Sequence, residues 1–109
     1  MNFNEYQSKA RETAIYPSAG SNLWYPALGL AGEVGEVEEI IKKVYRDHSG
    51  KLSGTDQERL RKELGDVLWY LANICCEAGL DLAQVARENY LKLQDRATRG
   101  VLQGEGSDR

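Results

Sequence analysis

The chain has 109 residues, enough for one domain with a modest core, roughly two-thirds of the unfolded surface being buried at this size. It is 41% hydrophobic and 28% charged with a net charge of -3, an ordinary globular composition that argues against a dedicated binder of nucleic-acid polymers, which carries a basic patch. No apolar run approaches the length of a bilayer span and the opening Met1-Asn2-Phe3-Asn4 has no signal-peptide core, so a soluble cytoplasmic protein is expected, with no membrane partner.

Four helices are predicted and no strand, an all-α chain. The first spans about Phe3 to Thr13, with Asn2 or Asn4 as its cap. Pro17, Gly20 and Ser21 mark a loop. The second helix spans about Asn22 to Asp47; Pro26 fits its first turn, or marks its true start with Asn22 to Tyr25 as a lead-in. Gly50 and Gly54 lie in a polar connection, after which Thr55 and Glu58 read as a capping box. The third helix reaches about Ala78 and stops at Gly79. Its adjacent Cys75 and Cys76 have neither disulfide nor metal-ligand spacing and read as small apolar residues, reduced as in the cytosol. Asp81 caps a fourth helix to about Thr98. Residues 1–99 then form one domain, and the glycine-rich residues 100–109 read as an extended or flexible tail.

On the third helix, Leu60, Leu64, Val67, Leu71, Ile74 and Ala78 form one apolar stripe. Glu63, Asp66, Tyr70 and Asn73 form a polar stripe beside it. The second helix repeats the layout: Leu30, Val34, Val37, Ile41 and Val44 are apolar, with Glu33 and Glu36 along the edge. Carboxylates on a solvated face usually meet Lys or Arg one turn on, as Glu38–Lys42 and Glu39–Lys43 are spaced to do. Glu33, Glu36 and Glu63 are followed at i+4 by Val37, Ile40 and Val67, and Asp66 by Tyr70. Four carboxylates near a packing edge without cations in register repel one another and lose solvation. A bound cation resolves this, and hard oxygen ligands suit Mg²⁺, or Mn²⁺, over zinc or copper. Mg²⁺ held this way commonly binds substrate phosphates, which points to phosphoryl or nucleotidyl chemistry. On the fourth helix Asn89, Lys92 and Arg96 share a face beside Leu82, Val85, Leu93 and Ala97; they are either phosphate donors or an ordinary basic edge.

The run Gly29-Leu30-Ala31-Gly32-Glu33-Val34-Gly35-Glu36-Val37, followed by Lys62-Glu63-Leu64-Gly65-Asp66-Val67-Leu68-Trp69-Tyr70-Leu71, resembles the MazG-like family of all-α nucleoside triphosphate pyrophosphohydrolases, related to dCTP pyrophosphatases and dimeric dUTPases. The resemblance covers about Phe3 to Arg99. It implies a four-helix bundle completed by oligomerisation, as a homodimer or homotetramer, and cleavage of an NTP or dNTP to the monophosphate and pyrophosphate. It implies Glu33, Glu36, Glu63 and Asp66 as Mg²⁺ ligands. Gly32 stands where the family's pattern has a leading Glu, so water activation falls to a remaining carboxylate such as Glu36, with Glu63 also catalytic. Asn89, Lys92 and Arg96 match the family's N-x-x-K-x-x-x-R stretch, implied to contact phosphates and sugar, and Tyr70 faces the nucleotide.

Other residues carry less. Trp24 and Tyr25, just before the second helix, either stack on a base or pack in the core between helices. Trp69 points away from the acidic stripe, toward core or interface. His48, the one histidine, sits in a polar loop with no evident partner and has no catalytic role, and a di-iron bundle, which needs two Glu-x-x-His motifs, is excluded. Gly29, Gly32 and Gly35 cost about 1 kcal/mol each in a helix relative to alanine, which implies close approach or room for substrate. Two rivals remain: a non-catalytic helical interaction module, and a pyrophosphohydrolase of phosphoribosyl-ATP type.

Overall fold

Helix boundaries in the computed structural model, which describes Met1–Arg109, follow local capping chemistry. The order is α1 (Phe3–Glu12), α2 (Trp24–Asp47), α3 (Gly54–Ala78) and α4 (Leu82–Arg99), with no strand. Asn2, not Asn4, caps α1, its side chain accepting from the Glu5 N–H at 2.8 Å. Helix α2 starts at Trp24, between the two expected starts, and Pro26 lies buried in its first turn. The Asn22 side chain accepts from the Tyr25 N–H at 3.1 Å and covers one of the free donors there.

The start of α3 differs from expectation. Ser53, not Thr55, is the cap, and the reciprocal partner is Asp56, not Glu58: Ser53 Oγ accepts from the Asp56 N–H at 3.1 Å, and Asp56 Oδ2 accepts from the Ser53 N–H at 3.0 Å. Asp56 is buried, and His48 Nδ1 lies 3.4 Å from its carboxylate, so the lone histidine does have a partner. Gly79 and Gly100 end α3 and α4 in the left-handed conformation that a β-carbon disfavours. Asp81 caps α4, and Gln7 of α1 grips the α3–α4 turn, donating to the Leu80 carbonyl at 2.9 Å and accepting from the Leu82 N–H at 2.8 Å.

Helices α2 and α3 form the main hairpin, with Gly29 meeting Tyr70 and His48 meeting Asp56, the descending register of an antiparallel pair. Helix α1 lies on α3, and α4 touches α1 and α3 but not α2. The core is thinner than the stripes imply. Ala10, Ala72, Cys75 and Leu82 form its buried cluster, with Tyr6, Leu68 and Trp69 packed on it. Leu64 and Leu71, expected inside, are 49% and 38% exposed, as are Val34 and Ile41 at 41% and 44%. On α4 Leu82 is buried in the first turn and Arg96 in the last; every residue from Arg87 to Asp95 between them is exposed, Tyr90 and Leu91 included.

The solvent-accessible surface is 7865 Å², against about 6,000 Å² for a folded monomer of this mass. The Cα radius of gyration is 16.8 Å, against about 13 Å for a compact chain of this length. A single copy is therefore an open arrangement that leaves apolar surface in water. No helix is long and apolar enough to cross a membrane.

Candidate metal centre

The antiparallel α2–α3 pair carries Glu33 toward Glu63 and Asp66. One carboxylate oxygen from each lies within 4.8 Å of the other two. Glu33 and Glu63 are half-buried, and Asp66 is exposed. None of the protein's ion pairs includes them. The cationic partners go elsewhere: Lys42 and Lys43 both turn to Glu39, at 2.9 and 3.6 Å, so the expected Glu38–Lys42 pair does not form.

Glu33 registers the uncompensated charge. Its pKa is raised from 4.5 to about 7, first by its side-chain hydrogen bond with Glu63, then by burial and by the charges of Asp66, Glu63 and Glu36. Carboxylates crowded this closely oppose one another's ionisation. Hard oxygens converging at this spacing suit a divalent ion of the Mg²⁺ class. Glu36, one turn beyond Glu33, is exposed and stands outside the converging trio, although Glu33 feels its charge.

Tyr70 lies one turn after Asp66. Its ring rests on the backbone of α2: a β-carbon on Gly29 would stand 2.1 Å from its Cε1. Of the three α2 glycines, Gly29 alone is closely approached; Gly32 and Gly35 face open space. Burial raises the Tyr70 pKa, and Tyr25, Glu33 and Asp66 add to it, which places the phenol beside the acidic cluster. Trp69 points away from the carboxylates, as expected, with its Nε1 donating to Thr13 Oγ1 at 2.8 Å. Trp24 is 78% exposed.

The basic stripe of α4 is not brought to the carboxylates within one chain, because α4 does not meet α2. Asn89 and Lys92 are exposed and line a shallow cavity of about 340 Å³ with Val85 and Glu88. Arg96 is buried, and its guanidinium donates to the Ser107 carbonyl of the C-terminal tail. Two larger cavities, about 450 and 430 Å³, lie beside Gln7, Arg11 and Cys76, and beside Phe3, Tyr6 and Leu68. The acidic cluster lines none of the three.

Two residues of the region were not singled out from the sequence. Tyr6 on α1 lies close enough to Asp66 for the carboxylate to raise its pKa, after the larger effect of burial. Glu77 extends the polar stripe of α3 by one more turn beyond Asn73, a spacing visible in the sequence, but its partners are remote in the chain.

Residues 26–101 match the model of the MazG nucleotide pyrophosphohydrolase domain. The chain is 41% identical over 114 residues to the Gene 37 protein of Mycobacterium phage L5, with both chains covered in full. No solved structure matches it. The match takes in both carboxylate helices and all of α4, and the chain belongs to the MazG nucleotide pyrophosphohydrolase family.

Proposed function

We propose that the protein hydrolyses nucleoside triphosphates, NTP or dNTP, to the monophosphate and pyrophosphate with Mg²⁺, in control or housekeeping of the nucleotide pool. The observation that carries this is the convergence of Glu33, Glu63 and Asp66 within 4.8 Å, with no cation among them, in a chain of this family. Glu33, Glu36, Glu63 and Asp66 are the residues that would hold the ion. A bound divalent ion supplies neutralisation of phosphate charge and acidification of water. Mn²⁺ has the same preference for oxygen and is the natural substitute.

In this reading Glu36 accepts a proton from the attacking water, and Glu63 is the second catalytic carboxylate. Tyr70 and Trp24 face the nucleoside portion. Asn89, Lys92 and Arg96 hold phosphate and sugar oxygens, and Lys92 and Arg96 stabilise charge developing on the leaving pyrophosphate. Since α4 does not reach α2 within a chain, these donors come from a neighbouring copy in a homodimer or homotetramer. The excess surface and the bare middle of α4 support that assembly. The free thiols of Cys75 and Cys76 fit a cytoplasmic setting.

Pyrophosphate release from a panel of NTPs and dNTPs, with Mg²⁺ and with EDTA, tests the reading on wild type and Glu63→Gln. Mg²⁺-dependent release that the substitution abolishes supports it. A second reading, a non-catalytic helical module, is favoured by the exposed Val85, Tyr90, Leu91 and Leu93 of α4. It predicts no release from any triphosphate and partner binding that is indifferent to Glu63→Gln.

A further inference from the structure

The polar stripe of α3 ends in a carboxylate surrounded by donors. The Glu77 side chain is 1% exposed. Its Oε1 accepts from the N–H of Gly20 at 2.7 Å and of Asn22 at 3.1 Å. Its Oε2 accepts from Gly20 at 2.9 Å and from Arg11 Nη2 at 3.1 Å. Arg11 Nη1 also donates to Tyr16 Oη at 2.8 Å and to Asn73 Oδ1 at 3.1 Å. Asn73, fully buried, donates in turn to the Trp69 carbonyl. Burial pushes the Glu77 pKa up, but the amides of Asn22 and Gly20 and the Arg11 guanidinium outweigh it and hold the pKa below 4.5. Glu77 thus remains an anion, and the loop between α1 and α2 is folded around it.

That loop leads directly to the carboxylate site. Asn22 accepts from the Tyr25 N–H at 3.1 Å, and α2 has no side-chain bond from its own cap residue, Leu23. The Tyr25 ring stacks on Tyr16, with centroids 4.8 Å apart and planes 10° apart. Tyr16 meets the edge of Trp69, which is perpendicular to Tyr70 at 5.0 Å. The register of the Tyr25 end of α2 against Tyr70 therefore depends on two loop amides and the one carboxylate that holds them.

We propose that Glu77 is a positioning residue of the nucleotide site: through the amides of Gly20 and Asn22 it sets the Trp24–Tyr25 end of α2 against Tyr70, the wall on which the nucleoside half of the substrate rests. This rests on the triphosphate reading given above. Glu77 touches neither the acidic trio nor the phosphate donors, so its effect falls on substrate affinity and spares metal binding.

Glu77→Gln isolates the effect, because every neighbour of the carboxylate is a donor and an amide NH₂ group would face them without an acceptor. Three measurements are compared with wild type: amide hydrogen exchange at Gly20 and Asn22, Mn²⁺ titration, and steady-state hydrolysis of a triphosphate. The expected result is faster exchange at the two amides, unchanged Mn²⁺ affinity, and a KM raised roughly ten- to hundredfold with little change in kcat. Unchanged exchange overturns the proposal, and so does faster exchange with a wild-type KM. A joint loss of kcat and Mn²⁺ affinity overturns it too, since that marks a general structural defect. Should Glu77→Gln not fold, Glu77→Asp keeps the charge near Arg11 while drawing back from the loop, and is read in the same way. Wild type that neither binds nor hydrolyses any triphosphate sinks the hydrolase reading and this role with it. Faster exchange in the variant would then still report the tether, which separates that failure from a failure of the tether itself.

Discussion

The Tyr70 ring lies on the bare backbone of Gly29, where a β-carbon would come within 2.1 Å of the ring. In an open helix, Gly→Ala gains about 1 kcal/mol. Here the methyl group must displace a ring wedged between α2 and the edge of Trp69. Gly29→Ala is expected to destabilise by about 1–3 kcal/mol in urea unfolding and to raise KM. Gly35→Ala, facing open space, is the contrast and should be neutral or stabilising by up to about 1 kcal/mol. Equal effects at both positions would count against Tyr70 as the cause.

The like charges of the trio are a built-in conflict that metal-free protein must carry. Glu63→Gln removes one of them, so it is expected to stabilise the metal-free chain by about 1 kcal/mol at neutral pH while abolishing hydrolysis and the thermal shift caused by Mg²⁺. Stability and function then move in opposite directions. A variant that loses both would mean that Glu63 serves the fold first.

Glu33 makes the metal-free protein sensitive to pH. Its pKa is 4.5 when unperturbed and about 7 in the fold, so over that interval the folded state binds the extra proton and stability falls as pH rises. A divalent ion needs the ionised form, and its binding at about pH 6 should release a proton. Calorimetry in buffers of different ionisation enthalpy reads this directly: the apparent heat should vary with the buffer at that pH and cease to vary well above pH 7. A heat independent of buffer throughout would remove Glu33 from the ligand set.

The start of α3 gives a prediction independent of function. Ser53→Ala should cost about 1 kcal/mol in chemical denaturation, and Thr55→Ala close to nothing. The reverse order would restore Thr55 as the cap.

How far the sequence could be read depended on the range of the interactions involved. The stop at Gly79 and the cap at Asp81 were legible, because each is decided within one turn of chain. Thr55–Glu58 and Ser53–Asp56 both satisfy the capping spacing, and the choice between them fell to burial of Asp56 beside His48, a tertiary matter. The unpaired state of Glu33, Glu63 and Asp66 was visible from missing cations one turn on, and their convergence needed only an antiparallel hairpin. Periodicity could not say which apolar stripes would be covered within one chain, and Leu64 and Leu71 stay exposed. Nor could it pair Arg11 with Asn73 and Glu77, which lie more than sixty positions away and meet it only when α1 docks on α3.

The bare stretch from Arg87 to Asp95 has a consequence for any dilute sample. With no tertiary cover, that part of α4 depends on intrinsic propensity, and a helix of 18 residues standing alone in water is close to its own melting point. Its order is therefore borrowed from whatever meets Tyr90 and Leu91. Where the cover is a second copy, the molecule senses its own abundance: scarce chains fray at α4 and scatter Asn89 and Lys92, and crowded ones hold them in a row. Mean helicity would then climb with protein concentration, together with the activity of each chain.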